Sequence, residues 1–242
     1  MNATAQMRER LKPVAARMLG CSEADITFAN SEAHGGGKSV KWEDVTKQAW
    51  LDRVGLSVTG FYMTPEIKYD FIKLNGRAFY YYCYGAAVSE VEINTRTGEW
   101  WLKAVDIVHD VGKSINPAID KGQIEGAFVQ GMGWLTMEEC IWDKTGKLLT
   151  HGPSTYKIPV AGDIPEHFNV TLFDGHNMKP TPFNSKATGE PPLMLGLSTF
   201  FALRDAVAAS AEHKAVVHLD APATPERILM ACEKVKAQVA QA

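Results

Sequence analysis

The chain has no Cys-x-x-Cys pair, and its four cysteines, Cys21, Cys83, Cys140 and Cys232, lie far apart in 242 residues. That spacing argues against a zinc site or an iron–sulfur cluster held by this chain alone. It also argues against a disulfide framework, and buried or inert thiols are the simpler account. Charge of one sign is lacking too: the formal net charge is -3, which points to neither a nucleic acid nor an anionic membrane as partner. No apolar run looks long enough to span a bilayer. Met1–Gly20 has no signal-peptide apolar block, so a cytoplasmic location is the default expectation. There is no Gly-x-Ser-x-Gly elbow and no His-Glu-x-x-His zinc motif. Internal repeats, low-complexity tracts and obvious linkers are missing as well. What remains is the composition of an ordinary globular protein, long enough for one large domain or two small ones.

The stretch Ser185–Leu193 carries the most chemistry. Glu190 stands between Gly189 and the pair Pro191–Pro192. Gly189 permits a close approach by another group. Pro191 biases Glu190 away from helical angles, and Pro192 suits the first turn of a helix. Leu193–Ala211 reads as a mostly apolar helix, which places Glu190 just ahead of a buried helix start whose dipoles favour a negative charge. Two readings stay open: a general base on a rigid turn, or a simple helix cap.

Met7, Leu11, Val14, Ala15, Met18 and Leu19 fall at helical spacing, with Gly20 as the stop and Pro13 as a bend or early-turn marker. Short strands are expected at Ile26–Phe28 and Val40–Trp42. Between them, Gly35–Ser39 resembles the end of a phosphate-binding loop. Position 32 is Glu32, not the glycine that motif needs, so the segment reads as a turn. A short helix follows over Glu43–Arg53. Strand is expected over Leu56–Phe61, and over Phe79–Ile93, whose Phe79–Tyr82 cluster suits core packing better than a substrate stack. Thr95–Gly98 turns the chain into Trp100–Val108, completing an antiparallel hairpin.

Gly122–Gly133 is helical in pattern but interrupted by glycines, each costing about 1 kcal/mol relative to alanine. Gly122 and Gly126 share one face, where a neighbour could approach the backbone, and Gln123 stands beside it with an amide that both donates and accepts. From the residues alone, tight helix packing with Gln123 merely satisfied is the better account. A second hairpin is expected at Glu138–Trp142 and Lys147–Thr150, another strand at Asn169–Phe173, and a short extended piece at Ala215–His218. Thr224 and Pro225 should start a last helix with Ile228, Cys232 and Val235 inward. His109 and Asp110 should point to opposite faces of a strand end. The fold class is α+β, with antiparallel hairpins packed against several helices.

Taken in order, Thr59–Tyr62, Tyr84–Val91, Asp110–Gly112, Asn116–Asp120, Gly122–Gly131, Pro153–Pro159, Ser185–Lys186 and Gly189–Leu193 resemble the C-terminal portion of a molybdenum-binding subunit. The family is the molybdenum hydroxylases, of the xanthine dehydrogenase type, which also includes aldehyde oxidases. The resemblance covers nearly the whole chain, so residues 1–242 would form one cofactor-binding region with its upstream half absent. It implies that Glu190 is the catalytic glutamate and that Gln123 hydrogen-bonds the cofactor, with Gly189 lining the pocket. No side chain would bind the metal directly.

The cofactor implied is molybdopterin or its cytosine dinucleotide form, with iron–sulfur clusters, FAD and NAD on partner domains or subunits. The implied reaction is oxidation of a purine, hypoxanthine or xanthine. Glu190 would take the proton from a molybdenum-bound hydroxide that attacks the ring, while hydride passes to the sulfido ligand. Burial would raise the pKa of such a base and the helix dipole would lower it. The glycine-rich cofactor loop and the purine-gripping residues of the family lie upstream of anything present here. The chain is therefore expected to be inactive alone, to need an upstream fragment as partner, and to expose apolar surface in isolation. Two further readings are an aldehyde-oxidising relative and a non-catalytic module of the same fold.

Overall fold

The computed structural model describes residues 1–241, and the chain divides into two compact units, Met1–Ala78 and Phe79–Ala242. In the first unit, α1 (Asn2–Leu19) ends where Gly20 adopts a left-handed φ of 71° and its N–H returns to the Ala16 carbonyl. This is the glycine stop the sequence implies. Three short antiparallel strands follow in the order β1 (Thr27–Ala29), β2 (Glu32–Gly35) and β3 (Lys38–Lys41). The glycine-rich segment is the β2–β3 hairpin turn, with Gly36 and Gly37 at φ 57° and 74°, conformations a primed turn requires. α2 (Trp42–Leu51) packs on α1, and Leu11, Val14, Leu19, Ile26 and Val45 form the core of this unit. A small hairpin, β4 (Lys68–Asp70) with β5 (Asn75–Arg77), completes it.

Leu56–Phe61 is not a strand, although its composition favours one. β-propensity expresses packing on a sheet face, and the structure gives this segment no neighbouring strand.

The second unit is built on a three-stranded sheet in the order β6 (Gly85–Ile93), β7 (Trp100–His109), β8 (His167–Leu172). β6 and β7 are the expected antiparallel hairpin, whereas β8 joins parallel to β7. A parallel partner needs a long crossover, here one that includes α3 (Pro117–Thr136). Val105, Ile107 and His109 are buried at alternate positions of β7, and Val105 and Ile107 meet Ile124, Phe128 and Met132 of α3 in one buried cluster. Burying side chains of this size contributes about 1.5–3 kcal/mol each. α4 (Leu197–Ala209) lies along β6, and α5 (Pro225–Ala240) packs on α4 through Leu203, Val207, Ile228, Cys232 and Val235. Thr224 caps α5 through its hydroxyl, with Pro225 at the first position.

Several expected boundaries move. β6 begins at Gly85, and the Phe79–Tyr82 cluster is not strand. Tyr80 is buried and Tyr81 half-buried, but Phe79 and Tyr82 are exposed, so core packing accounts for only part of that cluster. The second hairpin reduces to one bridge, Trp142 with Leu148, around the Asp143 turn. Ala215–His218 forms no strand. The helix expected over Leu193–Ala211 is a 3-10 turn, Pro191–Gly196, followed by α4. The proline pair and the pressing of Gly196 on the α3 backbone account for the tighter start. Pro191–Ala209 is, by length and composition, apolar enough to cross a bilayer, contrary to the sequence reading. Its residues Thr199, Leu203 and Val207 are buried in the protein's own core.

Candidate functional site

α3 begins at Asn116, whose side chain accepts from the N–H groups of Ala118 and Ile119, with Pro117 at the first helical position. Ile119, Gly122, Gln123, Gly126 and Gln130 share a helix face, and all are exposed. A Cβ added at Gly122 or Gly126 would meet nothing within 4 Å. The close packing expected at these two glycines is therefore absent. It occurs instead further along the helix: a Cβ at Gly131 would stand 2.1 Å from the Leu193 carbonyl oxygen, and one at Gly133 would stand 2.4 Å from Cδ of Pro159. α3 thus packs tightly through its C-terminal half and leaves its N-terminal half open.

The Ser185–Glu190 segment runs beside that open half. Gly112 and Ser185 form an antiparallel bridge, and the Lys186 N–H donates to the Val111 carbonyl at 2.7 Å. Nζ of Lys186 donates to Oδ2 of Asp110 at 2.5 Å and to the Tyr82 carbonyl at 2.9 Å. The two side chains are only 10% and 15% exposed, so this is a desolvated ion pair. The Ala187 peptide is gripped from both sides: its N–H donates to the Tyr81 hydroxyl at 3.0 Å, and its carbonyl accepts from the Cys83 thiol at 3.1 Å. Burial pushes the Cys83 thiol up from its ordinary value, which keeps it a donor. Thr188 reaches Asp120 in the first turn of α3.

This clamp delivers Gly189 to Gln123. A Cβ at Gly189 would lie 3.5 Å from Oε1 of Gln123. Neither the Gln123 amide nor the Glu190 carboxylate has a hydrogen-bond or ion-pair partner among the described residues. Glu190 follows directly, at φ -104° and ψ -37°, in the right-handed helical region rather than the extended one expected before proline. Its carboxylate makes no cap hydrogen bond, and the residue is exposed rather than buried at a helix start. The structure thus brings Gln123 and Gly189 together and sets Glu190 one residue further on, facing solvent.

Sequence reasoning missed Asp110 and Lys186 as a pair. They lie 76 positions apart, and only the close course of residues 110–113 and 184–186 joins them. His109, beside Asp110, is buried, and burial lowers its pKa. A cavity of about 560 Å³ lined by Thr150, His151, Pro153, Tyr156 and Ile158 includes none of the three site residues. Tyr156 there donates to Glu138, and that hydrogen bond pushes its hydroxyl up to about 12.

An unengaged amide, a side-chain-free backbone beside it and an open helix face suit a polar ligand held by hydrogen bonds. Among the described residues, no group of three or more His, Cys, Asp or Glu side chains is placed to hold a metal ion.

Known proteins resemble this chain in sequence and in fold. The chain is 50% identical over 200 residues to the xanthine dehydrogenase/oxidase of Felis catus, covering 80% of this chain and 15% of that protein. It is 44% identical over 242 residues to the xanthine dehydrogenase of Oryza sativa subsp. japonica, covering 96% of this chain and 16% of that protein. It therefore spans about one-sixth of the length of these relatives. Among solved structures, quinoline 2-oxidoreductase from Pseudomonas putida 86 superposes with a TM-score of 0.64 at 25% identity, covering 95% of this chain and 28% of that one. The reconstituted CO dehydrogenase from Oligotropha carboxidovorans shares the fold at a TM-score of 0.65 and 19% identity, covering 98% of this chain and 28% of that one. Residues 1–165 match the molybdopterin cofactor-binding domain, a span that includes Gln123 and stops short of Gly189 and Glu190. With well over half of its length in that match, the chain belongs to the molybdopterin cofactor-binding domain family.

Proposed function

We propose that this chain supplies part of the cofactor site of a molybdenum hydroxylase of the xanthine dehydrogenase type. The observation that carries the reading is the meeting of Gln123 and Gly189, with Glu190 next in the chain. The residues fit the cofactor: Gln123 offers a free amide to a pterin or to the metal's own oxygen ligands, and Gly189 keeps the adjacent space clear. When bound, the cofactor supplies the oxygen transferred and accepts the two electrons. Glu190 accepts the proton released in that step at a carboxylate oxygen, which requires its ionised form beforehand.

Purine oxidation is preferred over aldehyde oxidation because relatives at 44% to 52% identity are xanthine dehydrogenases. The likeness to an aldehyde oxidoreductase, at 22% identity, is one of fold. The chain works in assembly with the remaining molybdenum-domain polypeptide and with iron–sulfur and FAD-bearing parts. Apolar side chains such as Ile72, Phe61 and Phe183, exposed by 95%, 79% and 74%, support that reading, since surfaces of this kind are normally covered by other polypeptide.

The test is Glu190→Gln in the assembled enzyme, with metal content measured beside turnover of xanthine. Loss of a general base lowers kcat by about 10²–10⁴-fold while molybdenum content stays at the wild-type level. Undiminished turnover at full molybdenum content sinks the catalytic role. A complex that never holds molybdenum turns the reading towards a non-catalytic module.

A further inference from the structure

The geometry points to Lys186 as a positioning residue: its ammonium, locked between the Asp110 carboxylate and the Tyr82 carbonyl, sets where Gly189 and Glu190 lie relative to Gln123. The role assigned to Glu190 in this inference rests on the function proposed above, but the mechanical part does not.

Lys186 is held at both ends. Its backbone N–H bonds to Val111 and its ammonium to Asp110 and Tyr82, with the Tyr84 ring 5.6 Å away. Asp110 is fixed in turn, because Oδ1 accepts from the Gly112 N–H at 2.8 Å. Both partners are largely buried, unlike surface pairs such as Arg227–Glu139, where each side chain is more than a third exposed. Surface pairs have little influence on geometry, whereas a desolvated charge must keep its partner in place.

Only three residues separate Lys186 from Glu190, and two of them carry the anchor onward through neutral or partly exposed contacts: Ala187 to Tyr81 and Cys83, Thr188 to Asp120. Beyond Glu190, the Leu193 N–H donates to the Glu190 carbonyl at 3.0 Å, and the turn then rests on Gly131. The carboxylate has no hydrogen bond of its own to fix it. Its placement is therefore inherited from the backbone, and the ion pair is the buried, charged anchor of that backbone. A methionine at position 186 would keep the length but leave Asp110 unpaired, and the segment would drift. An arginine would keep the charge and part of the placement. Neutralising Asp110 together with Lys186 removes the orphaned charge without restoring the strut.

The experiment has two arms. Hydrogen exchange on the full chain compares wild type with Lys186→Met, Lys186→Arg and the double variant Lys186→Met/Asp110→Asn. The expected result is at least tenfold faster exchange at the amides of Ala187 and Leu193 in Lys186→Met, with α5 and β6 unchanged and partial rescue by arginine. Unchanged exchange at those amides, or equal loosening of the whole unit, overturns the inference.

In the assembled enzyme, Lys186→Met should lower kcat about 10²-fold, the cost of displacing a reacting group by about 1 Å. KM and molybdenum content should stay within about twofold of wild type, an uncertainty set by ordinary neighbouring effects. A kcat loss that tracks lost molybdenum, or no loss at all, overturns it. If Glu190→Gln is itself silent, the proposed function fails, while the exchange arm still decides the mechanical role of Lys186.

Discussion

Gln123 and Gly189 meet although 66 positions separate them: the amide oxygen of one stands 3.5 Å from where the other would carry a side chain. The contact is ordinary in distance, so it leaves the amide in place without pinning it. Gln123 keeps its hydrogen-bonding capacity, and Gly189 adds only backbone beside it.

Replacing Gln123 with alanine should therefore cost the fold little. The side chain is exposed and unpartnered, and such surface substitutions usually stay within about 0.5 kcal/mol. The expected loss is in cofactor retention, read as the molybdenum content of the assembled enzyme after gel filtration. Full retention would remove Gln123 from the site.

The glycines of α3 should respond in opposite senses. Gly126→Ala adds a methyl to open space in a helix and should stabilise the isolated chain by up to about 1 kcal/mol. Gly131→Ala drives a methyl into the Leu193 carbonyl and should destabilise it by about 1–3 kcal/mol. Urea midpoints of the two variants make the comparison. Equal effects would contradict the two-sided account of this helix.

Gly112 is fixed by conformation as well as space. Its φ is 62°, and a Cβ there would lie 2.5 Å from the Asn184 carbonyl oxygen. Gly112→Ala should cost about 1–2 kcal/mol from the left-handed backbone alone, with the overlap added. It should also loosen the bridge to Ser185, seen as faster exchange of the Lys186 amide.

His109 gives the second unit an acid limb. Its pKa is lowered chiefly by burial, so the folded state binds fewer protons than the unfolded one just below the ordinary histidine value. Its contribution is fully present above about pH 6.5, the unfolded histidine value, and is lost as pH falls through the depressed folded value. In His109→Gln the slope of stability against pH below about 6.5 should flatten, since the glutamine does not titrate. An unchanged slope would place the acid sensitivity elsewhere.

Local signals were legible where one residue settles the geometry. Gly20, the Gly36–Gly37 turn and the Thr224–Pro225 cap follow from backbone angles and a single hydroxyl, and all appear as read. The β6–β7 hairpin was equally readable from its turn and alternation. What the sequence concealed depends on neighbours far along the chain. Leu56–Phe61 has strand-forming residues and no strand beside it. The parallel docking of β8 is decided by the crossover rather than by the strand.

At the site, Gln123 and Glu190 were identifiable as candidates, yet their exposure was not, because burial is a property of the assembled surface. The Asp110–Lys186 pair was invisible for the same reason: two common charged residues acquire meaning only where the fold shields them from water.

The division of α3 also dictates where the molecule can be instrumented. A thiol-reactive spin label placed at position 122 or 126 would sit over unoccupied space and report on whatever approaches that surface. The same label at 131 or 133 would act as a wedge against the Leu193 carbonyl or the Pro159 ring, and its signal would describe damage rather than docking.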